Sequence, residues 1–254
     1  MIKLSAVVIT YNEERNIARC LTSLKGIADE LIVIDSESTD RTVEISKEHG
    51  AAVIHKPFLG YAGQRIFSDN AAANDWVLMM DADEWLSDEL SQSIAAFKKA
   101  PAANACRFPR LNRYCGKWIR HGSWYPDKKI RLYNRTKGTW QGGNVHEYWL
   151  AHNKNEKIHE LKGDLLHDSF QSLSSHLKKI NKYTDIAARD AVSMGKTTSL
   201  FRIWASPKWT FLSNYIFRFG FLDGMEGYTI ARISAFMTFM KYSKIRQYSR
   251  EKKN

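Results

Sequence analysis

Two aspartates separated by one residue follow an apolar run in the first third of the chain. Asp81 and Asp83 come directly after residues 76–80 (WVLMM), which have the composition of a buried strand. Carboxylate oxygens are the ligands that Mg²⁺ and Mn²⁺ prefer, and such a cation can neutralise the charge on a departing diphosphate. An Asp-x-Asp pair is also common in surface turns. The pair predicts a metal site only if the strand before it ends at a ligand-binding edge of a sheet.

Two further polar clusters end apolar runs in the same way. Residues 4–10 (LSAVVIT) lead into Tyr11, Asn12 and Glu13, and residues 30–35 (ELIVID) lead into Ser36. Short polar side chains such as Thr10, Asn12, Asp35 and Ser36 could hold a nucleoside by hydrogen bonds. The second cluster, residues 35–40, is also typical of a helix cap, and capping explains part of its composition.

Strands and helices alternate through the first hundred residues and would position these clusters. Strands are predicted at 4–10, 30–35, 51–55 and 75–80; helices are predicted at 14–24, at 41–48 and after the Ser87 cap. This alternation indicates an α/β fold with a mostly parallel, doubly wound sheet, in which ligands bind at the carboxyl ends of the strands. The three polar clusters fall at those ends.

The pattern changes after residue 103. Short strand-like pieces at 106–111, 129–133 and 145–149 predict a mixed extension of the sheet, and helical spacing returns from about residue 172. We therefore expect a catalytic domain over residues 1–170 and a helical region over 171–254. Within the former, residues 1–103 carry the three polar clusters and residues 104–170 form the extension of the sheet.

Charge is distributed unevenly along the 254 residues. Residues 1–100 carry 10 Lys and Arg against 16 Asp and Glu, whereas residues 101–254 carry 28 against 11. The basic part predicts an anionic partner, which could be nucleic acid, a phosphorylated substrate or an anionic membrane. No helix-turn-helix, zinc-finger or aromatic RNA-binding pattern favours nucleic acid, so we do not expect nucleic acid to be the partner.

The last fifty residues combine basic and aromatic side chains. They could lie on anionic lipid, with Lys241, Lys244 and Arg246 at the headgroups, or pack as a helix on the catalytic domain. No uncharged apolar run reaches the roughly 20 residues needed to span a bilayer, and we expect no signal peptide. Three cysteines without a C-x-x-C spacing suggest a reducing, cytosolic setting.

Residues 104–170 offer one candidate for a general base. Glu147 follows Gly142 and Gly143, where a substrate could approach closely, and a carboxylate there could deprotonate an attacking hydroxyl. Alternatively Glu147 pairs with an arginine, in which case Asp127 and Asp168 are the next candidates. Arg131 could neutralise a diphosphate or belong to a solvated, charged strand.

Taken together, Thr10-Tyr11-Asn12-Glu13, the Asp35–Asp40 turn and Met80-Asp81-Ala82-Asp83 resemble glycosyltransferase family 2 in order and spacing. The resemblance implies a GT-A fold, a nucleoside-diphosphate sugar donor, a divalent metal (Mg²⁺ or Mn²⁺) and inversion at the anomeric carbon. It also implies that residues 1–103 are the nucleotide-sugar half and residues 104–170 the acceptor half of the catalytic domain, and that the acceptor is a sugar. It assigns roles as follows: Thr10, Tyr11, Glu13 and Asp35 line the nucleoside pocket, Gln64 and Arg65 belong to a donor-contacting loop, Asp81 faces the ribose and the metal, Asp83 binds the metal, and His167 is a possible late metal ligand.

Later segments sharpen the resemblance to a subgroup. Val145-His146-Glu147, His167-Asp168-Ser169, Asn181-Lys182-Tyr183 and Phe221–Gly224 look like bacterial enzymes that add glucose to the inner-core heptose of lipopolysaccharide. The subgroup implies UDP-glucose as donor, an anionic glycolipid acceptor and a peripheral position on the cytoplasmic face of the inner membrane. Other readings are a family 2 enzyme for another cell-surface glycan, a basic nucleic-acid-binding protein, a silent sugar-nucleotide-binding module, and a nucleotidyltransferase, which lacks its expected glycine-rich loop.

Overall fold

The computed structural model describes residues 1–142 and 147–251. Its contacts divide the chain into two units. Unit 1 comprises Met1–Arg110 and Lys128–His167, and unit 2 comprises Leu111–Asp127 and Asp168–Asn254. The division differs from the one expected at residue 170, because residues 111–127 group with the C-terminal helices.

The first part of unit 1 alternates strands and helices. Its elements are β1 (Leu4–Thr10), α1 (Ile17–Leu24), β2 (Glu30–Asp35), α2 (Thr42–Glu48), β3 (Ala52–His55), α3 (Tyr61–Ala71), β4 (Trp76–Asp81), β5 (Glu84–Leu86) and α4 (Asp88–Lys99). The prediction for β1 and β2 is confirmed to the residue. The helix predicted from residue 14 begins at Ile17, and Ser87 caps α4 by accepting a hydrogen bond from the Leu90 amide.

Further strands follow, and the chain alternates between the two units. They are β6 (Ala105–Tyr114), β7 (Lys117–Ile119), β8 (Asp127–Asn134), β9 (Gly138–Gln141), β10 (Tyr148–Ala151), β11 (Ile158–Glu160) and β12 (Leu165–Phe170). The strand predicted at 145–149 overlaps β10, but residues 145 and 146 lie outside the described residues.

The sheet of unit 1 is parallel at its N-terminal side and mixed beyond it. β1 pairs in parallel with β2 and β4, and β2 pairs in parallel with β3. β4 then pairs antiparallel with β8, and β5 antiparallel with β12. The mostly parallel sheet with a mixed extension is therefore confirmed. The register places Thr10 opposite Asp35 and Ile9 opposite Asp81, so the polar ends of three strands meet at one edge.

Alternating residues of β1 and β4 build the core on both faces of this sheet. Leu4, Ala6 and Val8 belong to the cluster that includes α1 and α4, whereas Val7 belongs to a second cluster with Met79. Strands buried on both faces must be apolar at nearly every position, which explains the continuous apolar runs.

Helix α3 was not predicted. Its buried side chains are polar: Gln64, Arg65, Ser68 and Asp69. A helix that buries polar residues has no apolar stripe, so the periodicity that identifies most helices is missing. Gln64 and Arg65, expected in a loop, lie on this helix.

Unit 2 contains three long helices: α5 (Leu173–Ser193), α6 (Leu200–Leu212) and α7 (Gly224–Glu251). Lys244 on α7 donates to the Asn181 carbonyl and to Thr184 Oγ1 on α5 and pairs with Asp185 at 2.9 Å. Its side chain is only 11% exposed, so it ties two helices together. This contradicts the interpretation that placed Lys244 at lipid headgroups.

A small aromatic core lies in the same unit, with Tyr114, Ile119 and Ile230 buried and Trp124 and Phe170 packed against them. Within the two described segments, we find no helix with the length and apolarity required to cross a membrane.

Candidate functional site

The ends of β1 and β2 carry buried polar groups with unused hydrogen-bonding capacity. Asp35 is fully buried, accepts from the Ser38 amide and lies 3.0 Å from Nδ1 of His55. The Thr10 hydroxyl is also buried, and its oxygen has no partner within the described part of the chain. Because an unpaired buried hydroxyl is costly, we expect Thr10 to contact a ligand at this edge.

The loop after β1 is fixed by the turn after β2. Asn12, whose φ is +53°, accepts from the Thr39 amide at 2.8 Å and donates its own amide to Ser38 Oγ. The Asn12 side chain thus shapes the turn, while the neighbouring Tyr11 ring is exposed.

Glu13 accepts from the Asn16 side chain at 2.7 Å. Burial raises the pKa of the Glu13 carboxyl, although the hydrogen bond from Asn16 opposes that shift. Ser36 accepts from Nε2 of the buried Gln64, whose Oε1 accepts from the Leu59 amide. Gln64 therefore braces the Ser36 turn from helix α3.

A cluster of alternating charges surrounds Asp81. Arg65 donates to Asp81 Oδ1 at 2.9 Å, and Arg131 donates to Asp81 Oδ2 at 2.8 Å. Burial alone raises the pKa of the Asp81 carboxyl, but Arg65, Arg131 and Arg110 outweigh burial and hold that pKa far below its usual range. Asp81 is therefore a carboxylate whose two oxygens both accept from guanidinium groups.

Sequence reasoning missed Glu84, which completes this cluster. Glu84 is fully buried on β5; it accepts from the Asp81 amide at 3.0 Å and from Arg131 and Arg110. Its position three residues after Asp81 was the available signal. A glutamate buried in an edge strand cannot be recognised without the two arginines that reach it from β6 and β8.

Glu147 lies at the other side of Arg65. Arg65 Nε and Nη2 both approach Glu147 Oε1 at 3.3 Å, and the guanidinium stacks over the Trp140 ring at 5.0 Å. The ion pair considered for Glu147 is thus present, while the carboxylate remains 18% exposed. One arginine joins the candidate base to Asp81. Residues 143–146 of this segment, including Gly143, lie outside the described residues.

Asp168, a fallback candidate for the base, is held by Arg113 through two hydrogen bonds of 3.2 and 2.9 Å. A bidentate pair of this kind satisfies both carboxylate oxygens. Asp168 and Arg113 both belong to unit 2, so this pair is described apart from the charge cluster of unit 1.

Asp83 and His167 are neighbours. β12 runs antiparallel to β5 with His167 opposite Glu84, and His167 Nε2 lies 3.2 Å from Asp83 Oδ2. Within residues 1–142 and 147–251, no three His, Cys, Asp or Glu side chains are grouped to hold a metal ion. Mg²⁺ commonly keeps several waters and binds one or two carboxylates plus substrate phosphates. Asp83 offers one such carboxylate, with His167 beside it, whereas both oxygens of Asp81 already accept from arginines.

Comparisons with known proteins bear on the family to which the chain belongs. The profile of Glycosyl transferase family 2 matches residues 5–158. An uncharacterized glycosyltransferase of Rickettsia typhi is 38% identical over 100% of this chain and 90% of its own length. The lipopolysaccharide core biosynthesis glycosyltransferase LpsC of Rhizobium meliloti is 29% identical over 96% of this chain and 92% of its own length.

A solved structure shares the fold. S. aureus TarS 1-349, in complex with UDP-GlcNAc, superimposes with a TM-score of 0.51 at 14% identity, covering 98% of this chain and 92% of that one. The likeness is one of fold and agrees with the GT-A architecture expected from the sequence. With the family profile and the Rickettsia relative, it leads to one conclusion: the chain belongs to glycosyl transferase family 2 and is a glycosyltransferase.

Proposed function

We propose that the protein transfers a hexose, glucose from UDP-glucose, to a heptose of the lipopolysaccharide or lipooligosaccharide inner core, with inversion at the anomeric carbon. One observation supports this type of reaction. Arg65, Arg131 and Asp81 form a cluster at the strand edge where Asp83 and His167 also lie. Buried guanidinium groups beside a pair that we propose to bind a metal suit a diphosphate leaving group.

The donor is proposed to bind across the ends of β1, β2 and β4. Thr10 and Asp35 offer hydrogen bonds to the nucleoside, and the exposed Tyr11 ring offers an apolar surface. A divalent cation held by Asp83 and His167 would neutralise charge on the departing diphosphate.

Arg131 supplies positive charge from the protein itself. Its guanidinium is buried, and its Nε has no partner among the residues that the structure describes. A donor that is already fixed and desolvated stabilises developing negative charge without reorganisation during the reaction. We assign Arg131 to the diphosphate, with Asp81 keeping the guanidinium in position.

Glu147 is proposed to take the proton of the acceptor hydroxyl as that oxygen attacks the anomeric carbon. Arg65 contacts the carboxylate through Oε1 only, at 3.3 Å, so Oε2 is free of that ion pair. Arg65 thus orients the base, and fixed orientation is what proton transfer at hydrogen-bond distance requires.

Support for the acceptor comes from the relative named for lipopolysaccharide core biosynthesis and from charge. Unit 2 carries 18 Lys and Arg against 7 Asp and Glu, which favours a phosphorylated, anionic acceptor. Since such an acceptor is built on a membrane lipid, we propose that the enzyme works on the cytoplasmic face of the inner membrane.

A donor and acceptor screen tests the proposal. Purified protein is incubated with UDP-glucose, UDP-galactose, GDP-mannose or a dTDP-sugar, with Mn²⁺ or EDTA, and with a heptose-terminated core acceptor. We expect Mn²⁺-dependent transfer from UDP-glucose and Mn²⁺-dependent thermal stabilisation by the same donor. Transfer to a different glycan would contradict the acceptor, and full activity in EDTA would contradict the metal.

A further inference from the structure

An exposed aromatic face runs along α6 and the turns that follow it in unit 2. Six large apolar side chains there are exposed over 44–74% of their surface: Phe201, Trp204, Trp209, Leu212, Phe217 and Leu222. We call this set the aromatic face. So many large apolar side chains exposed within 22 consecutive residues of a folded protein mark an interaction surface.

The face is held rigidly. Asp223 accepts from the amides of Arg120 and His121 and fixes the turn before α7. At Gly227 an added Cβ would lie 1.9 Å from the Gly220 carbonyl oxygen, so the start of α7 packs directly on this turn. Thr210 of α6 also bonds to Thr238 of α7. The apolar side chains are therefore presented by a fixed scaffold.

The charges along this stretch have one sign. Residues 197–240 contain four basic residues, all exposed: Arg202, Lys208, Arg218 and Arg232. The two acidic residues of the same stretch are engaged elsewhere, because Asp223 is buried and Glu226 pairs with Lys117. The Lys208 ammonium lies 3.5 Å from the centre of the Trp204 ring. Cationic and aromatic groups thus alternate without exposed carboxylates.

This combination distinguishes between possible occupants. A protein partner or a second copy would bury the apolar groups, but neither requires four cations without a compensating acid. An anionic bilayer takes Trp and Phe at its interface and attracts basic residues to its headgroups. We infer that the aromatic face is where the enzyme docks on an anionic lipid bilayer, lying on it without crossing it.

The inference moves the lipid contact from the end of α7 to α6. It concerns the lipid surface alone and does not depend on the donor, the acceptor or the base. Vesicles free of acceptor glycan therefore test it separately from the proposed transfer reaction.

The test is co-sedimentation of the full chain with vesicles of phosphatidylethanolamine and phosphatidylglycerol, with phosphatidylcholine vesicles for comparison. We expect binding to the anionic vesicles only. The triple variant Trp204→Ala, Trp209→Ala, Phe217→Ala should bind at least about a hundredfold more weakly. The triple variant Arg202→Gln, Lys208→Gln, Arg218→Gln should lose about a hundredfold at low salt.

A matched control removes three exposed lysines of unit 1, Lys25→Gln, Lys47→Gln and Lys99→Gln, and should bind within a few fold of wild type. Circular dichroism and donor-induced thermal stabilisation confirm that each variant is folded. Unchanged binding by the aromatic variant would overturn the inference. So would wild-type protein that ignores both kinds of vesicle but dimerises through the same three side chains.

Discussion

The two units of the chain use charge in different ways. Unit 1 contains 20 Lys and Arg and 20 Asp and Glu, whereas unit 2 contains 18 and 7, so the whole net charge of +11 belongs to unit 2. In unit 1 the key arginines are buried and paired: Arg65 and Arg131 both donate to Asp81, whose side chain is 31% exposed. In unit 2 Arg202, Lys208 and Arg218 are exposed beside exposed aromatic rings.

The contrast teaches what each kind of charge can do. Buried pairs are screened little by salt and can be fixed in orientation, which suits a reacting diphosphate. Exposed cations without a paired acid act over a longer range than paired charges do, and they are sensitive to salt. Such cations suit attraction to an anionic surface. Variants of unit 1 should therefore change the chemistry, and variants of unit 2 should change stability, surface binding or the affinity for the acceptor.

The largest effect is expected from Asp83→Ala. If Asp83 binds the metal as proposed, its loss should lower kcat/KM about a thousandfold, because a metal supplies several kcal/mol of transition-state stabilisation and each 1.4 kcal/mol is about tenfold. The fold should persist, since Asp83 lies after a strand end and not in the core. Steady-state kinetics with the glucose donor measures the effect, and Asp88→Ala, an exposed carboxylate on α4, is the control. A fully active Asp83 variant would contradict the proposal that unit 1 binds a catalytic metal.

Glu147→Gln should come next, with kcat reduced at least about a hundredfold. Donor affinity should be nearly unchanged, because the proposed donor contacts come from the ends of β1, β2 and β4. The matched control is Glu160→Gln, an exposed carboxylate that also pairs with an arginine, Arg107, at 3.2 Å. If both variants turn over alike, Glu147 serves only as an ion-pair partner of Arg65.

In unit 2, Lys244→Met should lower the free energy of unfolding by about 2 kcal/mol, because it removes three hydrogen bonds and an ion pair between α5 and α7. Chemical denaturation measures the loss. Lys241→Met, a neighbouring lysine, should cost less than about 0.5 kcal/mol. Equal losses in the two variants would mean that Lys244 does not tie the helices together. If Lys244→Met alone bound vesicles more weakly, the lipid contact would lie on α7 and not on α6.

The sequence predicted those elements of unit 1 whose structure depends on residues close together in the chain. β1 and β2 are continuous apolar runs, so their bounds and their polar ends could be read directly from the sequence. Ser87 could be read as a cap because capping depends on neighbours three residues away.

The rest depends on contacts distant in the sequence. Arg65, Asp81, Arg131 and Glu147 come from four separate segments, and their pairing follows from the sheet order, which periodicity does not reveal. The grouping of residues 111–127 with the C-terminal helices likewise needs contacts across about a hundred residues, such as Asp223 with His121. The sequence could not show that the aromatic face is exposed, because exposed and buried faces of a helix both give aromatic residues at helical spacing.

An effect of similar size concerns pH and the aromatic core of unit 2. His176 stacks on Phe170 with ring centres 4.2 Å apart, and its Nδ1 lies 3.2 Å from the Tyr114 hydroxyl. Burial, with a smaller contribution from Lys179, lowers the pKa of His176 from 6.5 to about 4. The folded state therefore holds this imidazole neutral at a pH where the unfolded chain would protonate it.

The sign of the effect follows from the depressed pKa. The stability associated with a neutral His176 is fully present above pH 6.5 and is lost as the pH falls towards 4. Between pH 7 and pH 5 wild type should lose about 2 kcal/mol from this group. His176→Phe should be less stable at pH 7, since Tyr114 loses a partner, yet should lose about 2 kcal/mol less over the same interval. Carboxylates such as Asp69, whose pKa burial raises to about 6, titrate in both proteins and cancel in the comparison. Parallel stability curves for the two proteins would show that His176 is protonated without cost in the folded state, and that the core of unit 2 is open to water.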